Sequence, residues 1–177
     1  MITRERLKGA YSEGEALAIY SEARAGGDLA GFCRQYMHDE DYQVARNALW
    51  GLTKAHNDEI VQLQPMLNEL IDLAMGADNP SVRRLALNLV ERLEIGEDDV
   101  RTDFLDFCLE HMVDVAEYPG IQSLCMKLSL LMCGYYPELL DELKRTIRDM
   151  DMAHFTPAVR SVRNRILAGK PILRRKI

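Results

Sequence analysis

One pattern constrains this chain more than any other: a block of about a dozen residues that returns four times at nearly constant spacing. "DYQVARNALWGL" begins at Asp41, "NPSVRRLALNLV" at Asn79, "YPGIQSLCMKLS" at Tyr118 and "TPAVRSVRNRIL" at Thr156. The offsets are 38, 39 and 38 residues. In this frame Val44, Val82, Ile121 and Val159 align, all apolar and β-branched, and Gly51, Leu89, Leu128 and Ile166 form a second column. A third column reads Ala48, Ala86, Cys125 and, discordantly, Arg163. Ahead of the blocks, Phe32, Leu70, Leu109 and Ile147 keep the same register. Apolar residues recur at intervals of three and four in both halves of each unit, the spacing of one face of a helix. A unit of this size is a helix pair that cannot bury its own apolar face, so successive units must stack.

The start signals agree. Asn79 is a good N-cap, and Pro80 then occupies the first helical position, where its missing N–H costs nothing. Pro119 and Pro157 repeat the device. Pro65 interrupts "DEIVQLQPMLNELIDLAM", so that helix starts or kinks near it. Composition supports an all-α chain, since Leu, Ala, Met, Glu and Arg abound while aromatics make up only 7 %.

"ADNPSVRRLALNLVERL" resembles the second helix of a HEAT repeat, whose pattern is an Asp/Asn-Pro-x-Val-Arg turn followed by a helix rich in small residues. The other copies match more loosely: Arg83 and Arg160 keep the arginine of that turn, and Ala45 and Gln122 replace it. The resemblance covers residues 27–169 and implies a right-handed α-α superhelix, a HEAT-like solenoid of about four helix pairs, with second helices lining its concave side. It also implies that Arg83 and Arg160 bond to a turn residue of an adjacent repeat. "GEALAIYSEARAG" reads as an N-terminal capping helix. The expected organisation is a single domain with a cap at 1–26, four repeats at 27–169 and a basic tail at 170–177.

The net charge of −6 is unevenly placed. From Pro157 to Ile177 the chain holds seven Lys/Arg and no acid, which leaves 15 basic against 28 acidic residues elsewhere. Such an end suits the C-terminus of a last helix, and it also suits an acidic partner. The start of the chain lacks an apolar leader, "LSLLMCGYY" is too short to span a bilayer, and the four cysteines form no CxxC pair. A cytoplasmic protein without membrane association is expected.

Catalytic signatures are missing: there is no GxSxG elbow, no phosphate-cradling glycine loop, and so no sign of an enzyme or of a cofactor. Cys108 and His111 share a helix face, but two ligands do not make a metal site. Asp99, Asp103, Asp106 and Glu110 form an acidic stripe at helical spacing, read as the solvated face of one helix.

The second helices carry the candidate site. Positions two and six after the aligned valine point away from the buried stripe: Arg46 and Trp50, Arg84 and Asn88, Ser123 and Lys127, Ser161 and Arg165. No acid appears among them, and the chain's only tryptophan does. An indole beside guanidinium groups is the composition of a binding hot spot. Arg46, Trp50, Arg84, Asn88, Lys127 and Arg165 are therefore the expected contacts of a scaffold for a protein partner. The alternative is nucleic-acid binding through the same basic row, as in HEAT-like DNA glycosylases, with phosphates as the contacts. The acidic chain and the lack of a carboxylate beside Trp50 speak against that alternative. Oligomeric state is left open.

Overall fold

The computed structural model describes residues 2–172, and among them it is helical with no strand. The chain divides into two compact units, one ending its main run at Leu93 and the other starting at Glu94.

The first unit opens with α1 (Arg4–Lys8) and α2 (Glu13–Ala25), followed by the pair α3 (Leu29–Tyr36) and α4 (Tyr42–Leu52). A short α5 (Asn57–Ile60) leads through a 3-10 stretch, Val61–Met66, into the pair α6 (Leu67–Gly76) and α7 (Pro80–Arg92). Pro65 sits inside the 3-10 stretch, and the regular helix begins only beyond it. The capping helix expected from "GEALAIYSEARAG" is α2, sealed by a reciprocal Ser12–Glu15 capping box. The additional α1 was not expected from the sequence. Both α1 and α2 pack on α4, and α4 packs on α7.

The second unit holds two further pairs, α8 (Thr102–Val113) with α9 (Pro119–Cys133) and α10 (Pro137–Asp149) with α11 (Pro157–Leu167). Here α9 packs on both α8 and α11. Proline stands at the first turn of α7, α9, α10 and α11. Asn79 accepts from the backbone N–H groups of Ser81 and Val82, at 2.9 and 3.2 Å.

The repeat columns are the core. Val44, Val82, Ile121 and Val159 are all buried, as are Ala48, Ala86 and Cys125. Gly51 departs from its column of larger residues because α2 crosses there: a Cβ on Gly51 would stand 2.6 Å from Cγ2 of Ile19. Only hydrogen fits. Asn47 is fully buried at a position filled by Leu85 and Leu124 in later units. Its amide donates to the carbonyls of Leu7 and Ala10 at 2.7 and 3.0 Å, tying the turn between α1 and α2 to α4.

The arginine expectation needs correction. Arg83 bonds within its own helix pair. Its Nε donates to the carbonyl of Ala74 at 3.0 Å and its Nη2 to that of Met75 at 3.4 Å, both in the last turn of α6 within its own pair. Arg160 donates to Phe155 in its own turn at 2.9 Å. Gln122 does similar work, donating to the Asp114 carbonyl at 2.6 Å at the end of α8. The physical reason is proximity: the first helix ends with orphan carbonyls a few ångström from the start of the second. Arg92 is the arginine that bridges repeats, donating to Thr53 at 3.0 Å and to Ala55 at 2.5 Å beyond the end of α4. Arg163 is accommodated in the alanine column because it closes α10, through Ile147 at 3.0 Å and Arg148 at 2.8 Å.

Two substitutions test this packing. Ala86→Arg places an unpaired charge in a fully buried column and is expected to cost more than about 3 kcal/mol in denaturant unfolding. A loss below about 1 kcal/mol would mean that the register is wrong. Asn47→Ala removes one donor from each of two carbonyls in the α1–α2 turn and opens a polar gap in the core, and it is expected to cost about 1–3 kcal/mol.

Candidate binding face on the second helices

None of the eight positions singled out on the second helices is fully buried. In the first unit Arg46 and Trp50 lie one turn apart on α4, and Arg84 and Asn88 hold the same places on the neighbouring α7. Trp50, Arg46 and Asn88 are half-buried, and Arg84 is exposed. In the second unit Lys127 is half-buried on α9, while Arg165 is exposed on α11. Each unit thus brings its own members together on adjacent helices.

The first-unit group has internal order. Lys54 follows Trp50 by one turn and holds its ammonium 5.8 Å from the indole centroid, a cation–π distance. The same ammonium pairs with Glu13 of α2. Arg46 is partly spoken for, since its Nε donates to Asn47 at 2.9 Å and its Nη2 to the Ala10 carbonyl at 3.4 Å. That fixes its guanidinium at the lip of the α1–α2 turn and leaves donors over. Sequence reasoning missed Lys54, although it stands one helical turn beyond Trp50. Asn47 was missed too, and its signal was a polar residue in an otherwise apolar column.

The other sequence candidates resolve into structural roles. The acidic stripe is not one helix face: Asp99 belongs to a separate 3-10 turn, where it accepts from Gly96 N–H at 3.0 Å. Asp103 pairs with Arg101 at 2.7 Å, which holds its carboxyl below the usual range. His111 turns Nδ1 to a Glu117 carboxylate at 2.5 Å and stacks on Phe107, while Cys108 is fully buried. The four cysteines are free and buried. Burial pushes the Cys33 thiol up to about 12 and raises Cys108 as well, so these thiols resist ionisation. No group of three or more metal-ligating side chains occurs among the described residues. An open hollow of about 530 Å³ lies between α2 and α3, floored by Phe32 and Tyr36. Its carboxylates are engaged, Asp28 capping α3 at 2.7 Å and Glu22 facing Arg6 at 3.6 Å.

A family model described as a HEAT repeat domain matches residues 3–170. The chain belongs to the HEAT-repeat family. No curated protein and no solved structure matches it significantly. Membership fixes the class of object, an α-solenoid repeat scaffold built from helix pairs. No helix among the described residues is long and apolar enough to cross a membrane.

Ion pairs decorate this scaffold at one-repeat spacing, and they carry a pH signature. Hydrogen bonds from Arg4, Lys8 and Arg34 hold the carboxyls of Asp39, Asp41 and Glu69 below the usual carboxylate range. Depressed folded-state values stabilise the fold above the unfolded carboxyl range, and that contribution is lost as pH falls through them. Unfolding free energy is therefore expected to stay level from neutrality to about pH 5 and to decline below about pH 4. Thermal melts at stepped pH check this, and raised salt should shrink the decline because these pairs are exposed.

Proposed function

We propose that this HEAT-repeat protein is a non-enzymatic scaffold that binds a protein segment through its second helices, anchored at Trp50. The observation that carries the reading is a partly exposed indole with Lys54 over its ring and Arg84 on the neighbouring helix. A large aromatic left partly in water at a helix surface, with cations near it, has unspent contact area and low conformational entropy to lose. Arg46 and Asn88 flank it with hydrogen-bond donors, and no carboxylate occupies the corresponding helix positions. Lys127 and Arg165 hold the equivalent helix positions within the second unit, on its own α9 and α11.

Binding is tested with the chain's own fluorophore, since Trp50 is the only tryptophan. Proteins retained by the immobilised chain and not by a Trp50→Ala/Arg84→Ala variant would be purified and titrated against Trp50 emission. The double variant is expected to keep its stability within roughly 1 kcal/mol while losing 2 kcal/mol or more of partner affinity. If Trp50→Ala alone unfolds the domain, the indole is a packing element and the reading fails. Micromolar binding to short duplex DNA that collapses steeply with salt would move the assignment to nucleic acid.

A further inference from the structure

The basic end of the chain is not absorbed by the Trp50 surface, and its helix has a feature of its own. From Pro157 to Ile172 every charged side chain is cationic: Arg160, Arg163, Arg165 and Lys170. Residues 173–177 of the expected basic tail lie outside the described residues. α11 turns Val159 and Ile166 inward and packs on α9 and α10. Its other side exposes Arg160, Ser161, Asn164 and Arg165, which sit on two successive turns as a single quartet.

Main-chain carbonyls hold these guanidinium groups in place. Arg160 donates through Nε to Phe155 at 2.9 Å, which leaves both Nη groups available. Arg165 donates one Nη2 hydrogen to Pro171 at 2.5 Å, which leaves its Nε–Nη1 side. Arg163 is spent on closing α10, but its Nη1 also donates to Oδ1 of Asn164 at 3.1 Å. That bond leaves the Asn164 amide nitrogen as a donor beside the two free guanidinium edges. A solvated arginine loses rotamer freedom on binding, and one already tethered loses less. A solvent-facing helix side needs only to be polar for solubility. Here it is polar, tethered and purely cationic.

We infer that the outward side of α11, through Arg160, Ser161, Asn164 and Arg165, is a docking surface for an acidic protein segment. The inference does not rest on the Trp50 reading, and it gives Arg165 a second setting, beside Arg160. Charge complementarity selects the partner's sign, and the free guanidinium edges suit carboxylates bidentately. Extent selects protein over nucleic acid. α11 has 11 residues, about 16 Å of axis. Glu138, Asp141 and Glu142 on α10, with Asp149 and Asp151 at the turn, are exposed carboxylates that would repel a longer polyanion. A short acidic segment avoids them.

The test is fluorescence anisotropy of a labelled peptide of alternating Glu and Asp, about a dozen residues long, with the full chain at low salt. An Arg160→Gln/Arg165→Gln variant is expected to weaken binding about tenfold or more. A charge-matched Arg145→Gln/Arg148→Gln variant on α10 should weaken it less than about twofold, and Trp50→Ala/Arg84→Ala should leave it unchanged. Equal losses in the α10 and α11 variants would reduce the surface to diffuse charge attraction and overturn the inference. So would the absence of binding, or tighter capture of a duplex DNA of about a dozen base pairs that the α11 variant also abolishes. Should the double variant melt early, Arg165→Gln alone carries the test, because its one bond is to Pro171 beyond α11, with an expected loss of about threefold.

Discussion

The closeness of neighbouring helices governs the rest of this structure. Small residues set it: Ala48 and Ala86 in their column, and Gly51 where α2 crosses with no room for a methyl group. Close approach gains dispersion and burial, and it also pulls helix ends out of water. Their orphan carbonyls then need donors supplied from the protein. That requirement explains the side chains that otherwise look misplaced. Asn47 stands in an apolar column, Arg163 in an alanine column, and Arg92 is half-sequestered despite a desolvation cost that lowers its pKa. Each donates to backbone oxygen at a helix end or turn.

Much of this was legible in the sequence, because the same physics was written four times. Period, caps and apolar spacing agreed, and the columns headed by Val44 and Ala48 emerged as core. What escaped was whatever is not periodic. α1 is five residues long and has no copy elsewhere, so no frame announced it. The arginine pattern was visible, yet its partner was not: spacing marks the residue but not which orphan carbonyl its guanidinium meets. For the candidate face the sequence located which positions avoid the core. It did not reveal that Lys54 would lie over Trp50, a contact set by rotamers and by the pull of Glu13.

The cationic side chains therefore divide by what their nitrogens already hold. Arg83, Arg92 and Arg163 donate to carbonyls at helix ends or inter-helix turns and belong to the fold. Arg84 is exposed, and Arg160 and Arg165 are tethered by one bond each while remaining in water. A count of basic residues blurs this division. Counting donors left over separates the arginines that build helix pairs from those able to meet a partner.

The longer side-chain bonds share one property. Arg4–Asp39, Arg34–Glu69, Tyr36–Ile2, Asn47–Leu7, Arg92–Thr53 and Tyr135–Ile95 link residues 34 to 40 positions apart. Such bonds wait only for the next repeat and not for a distant terminus. Loop-closure entropy stays nearly the same at each step, so no step is a topological bottleneck. During synthesis a helix pair can settle on its predecessor as soon as about forty further residues have emerged, leaving little time for apolar faces to meet wrong partners.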